Sequence, residues 1–292
     1  MYLLIGSVLA ASLVAGPVVA GTRVSESRPA SATGAVEVVN VSGSVTVIGW
    51  DREEVEVQGE LGKGAERLHF EAGPERTTVR VVLPRNCRSC EGSDLTVRVP
   101  RRSALEVDAV SATIVVQDVQ GVCTLKSVSG DVQVSGDARR VEARSVSGEV
   151  RLRVMGGCVR ARSVSGNVAI DGAEGSVEAS SVSGSIEVKG NALARAELST
   201  TSGSIQLDGS LVAGGKVEAK SVSGDIVVAL PGDTVADFEV TTFSGGIRNG
   251  FGYEARRVSK YTSEKELTFS TGSGGARVAL QSFSGNVVLR KR

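Results

Sequence analysis

An all-β fold, and within it a single-stranded parallel β-solenoid of the β-helix kind, is what this sequence predicts. Three observations predict it. First, the run Lys126-Ser127-Val128-Ser129-Gly130-Asp131-Val132 recurs as Arg144 to Val150 and as Arg162 to Val168, with weaker copies from Ser180, Ser199, Lys220, Thr241 and Gln281. Second, the glycines of these runs stand at 130, 148, 166, 184, 203, 224 and 245, at intervals of 18, 18, 18, 19, 21 and 21 residues, a period typical of stacked repeats. Third, apolar and polar residues alternate on both sides of the glycine, as in Val141-Glu142-Ala143-Arg144 and Glu149-Val150-Arg151-Leu152. Period two marks half-buried strands, and no segment carries a helical period. One unit therefore holds two short strands and two bends. It cannot bury its apolar face without copies above and below.

Stacking places equivalent residues in columns about 4.8 Å apart. Two after the glycine stand Val132, Val150, Val168, Ile186, Ile205, Ile226, Ile247 and Val287; four after it stand Val134, Leu152, Ile170, Val188, Leu207, Val228 and Leu289. β-branched side chains dominate these columns, as close packing inside a narrow coil favours. Val128 is expected to fill the coil with Val132. Gly130 is expected to turn through positive φ. Ser129 and its equivalents at 147, 165, 183, 202, 223, 244 and 284 are expected to serve the hydrogen bonds of the corner. About ten coils of 18 to 21 residues follow.

Taken in order, Tyr2 to Ala20 carries no charge and ends on Val18-Val19-Ala20 after Pro17. It reads as an export signal cleaved near Ala20, although no Lys or Arg precedes it; the alternative is an uncleaved membrane anchor. Residues 21–33 are polar and read as a flexible lead-in, and 34–105 as an irregular N-terminal β region that caps the repeats of 106–292. Cys87 and Cys90 form a C-x-x-C in a polar loop, and in an exported chain this reads as a local disulfide. Cys123 and Cys158 are single and distant, which disfavours zinc. An irregular insert, 249–273, holds Phe251, Tyr253, Tyr261 and Phe269. Phe251, Tyr253 and Tyr261 form a candidate interaction surface, against the plainer reading of a cap over the C-terminal end.

The order of these motifs resembles the putative-adhesin family of bacterial β-strand-repeat proteins, a domain family of unknown function. The residues that carry the resemblance are Gly43-Ser44-Val45-Thr46-Val47 with Trp50-Asp51 and Val55-Glu56-Val57, then Val97-Arg98-Val99-Pro100, the Ser-Val-Ser-Gly runs, and Phe283-Ser284-Gly285-Asn286-Val287. The resemblance covers most of the chain from about residue 34. It implies a solenoid at or beyond the cell envelope and supplies no catalytic residues.

Composition narrows the chemistry. Thirty-three Lys and Arg balance 33 Asp and Glu, so a general affinity for nucleic acid is not expected. The one histidine, His69, leaves nothing for a Ser-His-Asp arrangement. Asp131 and Glu149 fall on adjacent coils at a spacing that suits paired carboxylate chemistry, yet Asn167, Ser185 and Ser204 continue the same column, as turn geometry would favour. Lys126, Arg144 and Arg162 could line a polyanion stripe, but glutamates interleave them. The chain is therefore read as an exported, non-enzymatic scaffold or adhesion-type module, located in the periplasm, on the cell surface or outside. It is expected to use no cofactor. Its partner is unknown, an envelope component or a glycan being the candidates, with no nucleic acid and membrane contact only through an uncleaved N-terminal segment. The alternatives are a carbohydrate-active enzyme with a groove along the coils, or a self-assembling filament.

Overall fold

The computed structural model describes residues 21–87 and 90–292. The export-signal reading of Tyr2 to Ala20 lies outside the described residues. Among the described residues the regular structure is all strand, and 22 strands join one sheet. The first seven are β1 (Thr22–Pro29), β2 (Ala35–Trp50), β3 (Glu54–Leu61), β4 (Arg67–Ala72), β5 (Arg76–Val82), β6 (Ser93–Pro100) and β7 (Ala104–Gln117). The repeats then give β8 (Val122–Lys126), β9 (Val132–Gly136), β10 (Arg140–Arg144), β11 (Val150–Val154), β12 (Cys158–Arg162), β13 (Val168–Ser181), β14 (Ile186–Thr200), β15 (Ile205–Ser221) and β16 (Ile226–Leu230). The C-terminal part holds β17 (Ala236–Thr242), β18 (Ile247–Asn249), β19 (Arg256–Arg257), β20 (Lys265–Ser270), β21 (Ala276–Ser282) and β22 (Val287–Lys291).

The repeat sets the register. β8, β10 and β12 pair in parallel, Val122 with Arg140 and Arg140 with Cys158. β9, β11 and β13 form a second parallel ladder, Val132 with Val150 and Val150 with Val168. The two ladders do not stay separate, and here the expectation of an open single-stranded solenoid of about ten coils is corrected. β7 pairs with β8 through Leu105–Asp108 and with β9 through Ile114–Gln117. β13 pairs with β11 through its start and with β12 through Ser176–Ser180. The circuit β7–β8–β10–β12–β13–β11–β9 therefore closes as a ring of parallel strands, a seven-strand barrel with the other strands outside it. The physical cause is that β7 and β13 bend without leaving the sheet. In β13 the bend is taken at Gly172 and Gly175, both at positive φ, and at the register shifts between Asp171 and Ser176.

Chain order and spatial order part at both ends. β2 lies between β7 on one side and β5 and β6 on the other: Ala35 faces both Ala104 and Arg76, and Gly43 both Ala112 and Ser93. Likewise β21 lies between β15 and β17, and β22 between β16 and β18. Antiparallel strands then cover the ends: β4 on β5, β3 on β6 and β1 on β3 at one, β20 on β17 and β19 on β20 at the other. Thr22–Pro29, expected as a flexible lead-in, is the strand β1. Both of its faces are polar and mostly exposed, so the sequence shows no apolar alternation there.

The core is the aliphatic pair of columns foreseen from the repeat. Val132, Val150, Val168, Ile186 and Ile205 are buried, as are Val134, Leu152, Ile170, Val188 and Leu207. Cys123 stands in the column of the other ladder, between Leu105 and Val141, as a small core residue, and burial pushes its thiol up to about 12. The corner glycines have another cause than the one expected. Gly130, Gly148 and Gly166 are not in the positive-φ region. Instead, a Cβ on Gly148 would lie 2.1 Å from the Gly130 carbonyl oxygen, and one on Gly166 2.0 Å from that of Gly148. Glycine is required there because adjacent coils approach too closely for a side chain.

Candidate interaction surface

The corner between the ladders is the most regular surface feature, and its construction differs from the sequence reading by one or two positions. Its hydrogen bonds are served by Ser127, Ser145, Ser163 and Ser181, all buried, and not by the Ser129 set, which is exposed. The Gly148 amide donates to Ser145 Oγ at 2.9 Å, and Ser145 Oγ donates to the Gly130 carbonyl of the coil before at 3.2 Å. The same double bond recurs at Ser163 and Ser181. Thr200, Ser221, Ser282 and Thr242 continue the column of hydroxyls that donate to a glycine carbonyl of the neighbouring coil. Ser145, Ser163 and Ser181 thus each tie their own turn and join one coil to the next, and the later hydroxyls make the second link.

With the hydroxyl turned inward, the following residue must turn outward. Val128, expected to fill the coil, is 45% exposed. The same holds for Val41, Val110, Val146, Val164, Val182, Val222, Phe283 and Phe243, at 37% to 54%, with Thr201 as the one polar member of the column. Neighbours in this column are joined by backbone bonds: the Val146 amide donates to the Val128 carbonyl and the Val164 amide to that of Val146. At the C-terminal end Phe243 and Phe283 stack with centroids 4.8 Å apart and planes within 6°. The result is an apolar stripe, interrupted at Thr201, that runs from the tier of β2 to that of β17 and β18, roughly 43 Å long for nine steps of strand spacing. Single exposed valines mean little, but a contiguous apolar patch of this extent is unusual on an isolated protein.

Two charged columns flank the stripe. Four residues before each glycine stand Lys126, Arg144, Arg162 and Lys220; one residue after it stand Asp131, Glu149 and Asp225. Lys126 reaches Glu106 at 2.9 Å and Asp108 at 3.4 Å. That hydrogen bond holds the Glu106 carboxyl below its ordinary range and raises Lys126 above its own. Arg162 and Arg160 hold Glu178 down in the same way, the Arg162 hydrogen bond most of all. On the other flank, Asp131 Oδ1 accepts from the Glu149 amide at 2.8 Å, Asn167 Oδ1 from Ser185 at 2.9 Å and Asp225 Oδ1 from Asn286 at 2.7 Å. Asp131 and Glu149 are adjacent, and what Asp131 does there is turn chemistry.

The aromatic candidates are brought together only in part. Phe251 packs on Phe238 and Phe269, with centroids 5.3 and 6.1 Å away. Tyr253 stacks on Phe269 at 4.3 Å and donates from its hydroxyl to the Ser270 carbonyl at 3.3 Å. Phe238 and Phe269 belong to β17 and β20, so this cluster lies beneath the C-terminal antiparallel strands. Tyr261 stands elsewhere, 85% exposed, with Lys260 Nζ 4.9 Å over its ring. Cys87 and Cys90 are joined as a disulfide with Cα atoms 5.7 Å apart. Their sulfurs lie against Gly64, at φ +88, and the Glu91 amide donates to the Lys63 carbonyl at 3.0 Å, so this loop is fastened to the β3–β4 connection. His69 faces solvent on β4, 3.5 Å from Glu71. Among the described residues no group of three or more His, Cys, Asp or Glu side chains could hold a metal ion.

The stripe escapes the sequence reading because Val128 is placed inside by its apolar side chain, whereas the alternation of Cys123, Leu125 and Ser127 inward turns it outward. The signal that could have found it is the serine before Val128: it continues the inward positions of the strand, which leaves Val128 on the outer face.

Comparison with known proteins bears on the same residues. No curated protein matches the chain. Among solved structures, a putative adhesin from Bacteroides fragilis is similar at 9% identity, over 92% of this chain and 97% of that one, with a TM-score of 0.43. A putative adhesin from Parabacteroides merdae is similar at 11% identity, over 93% and 97%, with a TM-score of 0.40. A putative lipid binding protein from Parabacteroides distasonis is similar at 15% identity, over 93% and 98%, with a TM-score of 0.40. The Toastrack DUF4097 family model matches residues 69–290, a span that takes in the whole run of corners from Val110 to Phe283. With well over half its length matched, the chain belongs to the Toastrack DUF4097 family.

Proposed function

We propose that this protein is an exported, non-enzymatic binding module of adhesion type, and that the apolar stripe from Val41 to Phe243 is its contact surface. The stripe is the observation that carries the reading. A buried hydroxyl column and glycines pressed against the next coil hold its backbone rigid, so the valines and phenylalanines are presented without ordering cost on binding. The apolar run Tyr2 to Ala20 and the disulfide Cys87–Cys90 both fit passage to an oxidising compartment. Membership of a family with adhesin-like relatives supports an envelope location.

Fractionation of expressing cells tests the location, and recovery of the protein only from the cytoplasm would overturn it. The contact surface is tested by the retention of the purified chain on envelope material isolated from cells that express the same protein, compared with the Val146→Asp/Val164→Asp chain. The double variant is expected to keep its circular dichroism spectrum and to lose at least tenfold in retention. Equal retention of the two chains counts against the stripe.

A further inference from the structure

We infer that the occupant of the stripe is a second copy of this chain, lying parallel to the first about a two-fold axis that runs along the stack. The inference rests on the stripe being a contact surface. The two flanks decide the partner. Where the flank before the corner is charged, the flank after it carries the opposite charge on three coils of five: Lys126 with Asp131, Arg144 with Glu149 and Lys220 with Asp225, whereas Arg162 has the neutral Asn167 and Asp108 the neutral Thr113. Where the flank before the corner is neutral, as at Ser180, Ser199 and Gln281, the flank after it is neutral too, at Ser185, Ser204 and Asn286.

Two corners can meet face to face in two symmetric ways. If the copies run antiparallel, each flank meets its own kind, lysines and arginines against lysines and arginines. If they run parallel, the axis exchanges left and right but keeps height. Lys126 then faces Asp131 of the second copy, Arg144 faces Glu149, Lys220 faces Asp225, and every neutral coil meets a neutral coil. Only the parallel arrangement is complementary in sign, and like charges brought together across an interface are costly. The contact is isologous, so one surface serves both copies.

Size agrees with this arrangement. A stable interface buries about 800 Å² on each partner, so a contact roughly 43 Å long must be about 19 Å wide. The valine column alone is too narrow, so both flanks must take part in the contact. At the centre, valine meets valine between columns of exposed serine, the small and apolar composition of a tight strand-to-strand zipper. The antiparallel strands β3, β4, β19 and β20 lie over the ends of the stack and leave its corner uncovered.

Sedimentation equilibrium of the full chain tests the dimer, and twice the chain mass of 30.1 kDa is expected. Val146→Asp/Val164→Asp is expected to weaken association at least 100-fold and to sediment as a monomer. Neutralising one flank with Asp131→Asn, Glu149→Gln and Asp225→Asn keeps the amide acceptors and is expected to weaken association about tenfold. Orientation is read with single cysteines in a Cys158→Ser background. Ser111→Cys and Ser284→Cys, near opposite ends of the stripe, should each form a disulfide with its own kind under mild oxidation. A disulfide formed only between a Ser111→Cys chain and a Ser284→Cys chain would mean antiparallel copies and overturn the arrangement. A monomer at all concentrations overturns the dimer; if the aspartate variant still loses envelope retention, the contact surface stands and its occupant is a different molecule.

Discussion

At the scale of the residue, two serines that look alike in the sequence have opposite duties. Ser145 is buried and makes one bond to its own turn and one to the neighbouring coil, whereas Ser147 is exposed. Ser145→Ala strands the Gly148 amide in the interior and is expected to cost about 1–3 kcal/mol in a denaturant titration. Ser147→Ala is expected to change stability by less than about 0.5 kcal/mol, and equal effects at both positions would contradict the assignment. Gly148→Ala must be worse than either, since its Cβ would meet the Gly130 carbonyl. Charge acts more gently. Glu218 accepts from Lys220 and Lys216, the Lys220 bond foremost, and its carboxyl is drawn down to about 2 from an ordinary 4.5. A lowered carboxylate stabilises the fold above its ordinary range, and that share is lost as the pH falls toward 2. The lysines are largely exposed, so the share is under about 1 kcal/mol. Glu218→Gln should lower stability slightly at pH 7, and the two proteins should converge near pH 2. The buried columns at Val132 and Val134 were legible in the sequence because alternation holds within a strand. Val128 was not, because its apolar side chain argues for the interior while the alternation of Leu125 and Ser127 inward turns it outward.

At the scale of the element, position in the chain is a poor guide to position in the stack. β21 and β22 fill the gap between β15–β16 and β17–β18. Removing residues 274–292 would therefore open two interior faces and leave Val217, Ile226, Val228 and Val240 without their neighbours. The expected outcome is rapid proteolysis of everything beyond β15, with β8–β14 still protected; a truncated chain as resistant as the full one would show that the gap can close. The disulfide makes a different kind of link. It closes a loop of only four residues, so reduction is expected to cost about 2 kcal/mol at most, seen as a small fall in Tm. Short strands and their partners one repeat away could be read from the period of 18. Whether a strand stops at the bend or runs through it, as β7 and β13 do, could not, since the same residues permit both and only the closed pairing decides.

At the scale of the whole molecule, stability is expected to be graded along the stack. Central strands such as β10 to β14 have a paired neighbour on each side and a continuous aliphatic interior. The outermost strands β1, β4 and β19 are short or polar and bordered on one side. Amide hydrogen exchange should be slowest across β10 to β14 and fastest at those three strands, and uniform protection would contradict a graded stack. The all-β class was legible in the sequence at this scale. The exchange of neighbours at the two ends was not, because repeats that fit one another equally well carry no record of which lies beside which. That exchange also acts in time. A chain made from its N-terminus delivers β17 and β18 before the strands that belong between them and β15–β16. Those two strands must wait, with one face open, until β21 and β22 arrive, so the C-terminal tiers close in a single late event and not one after another.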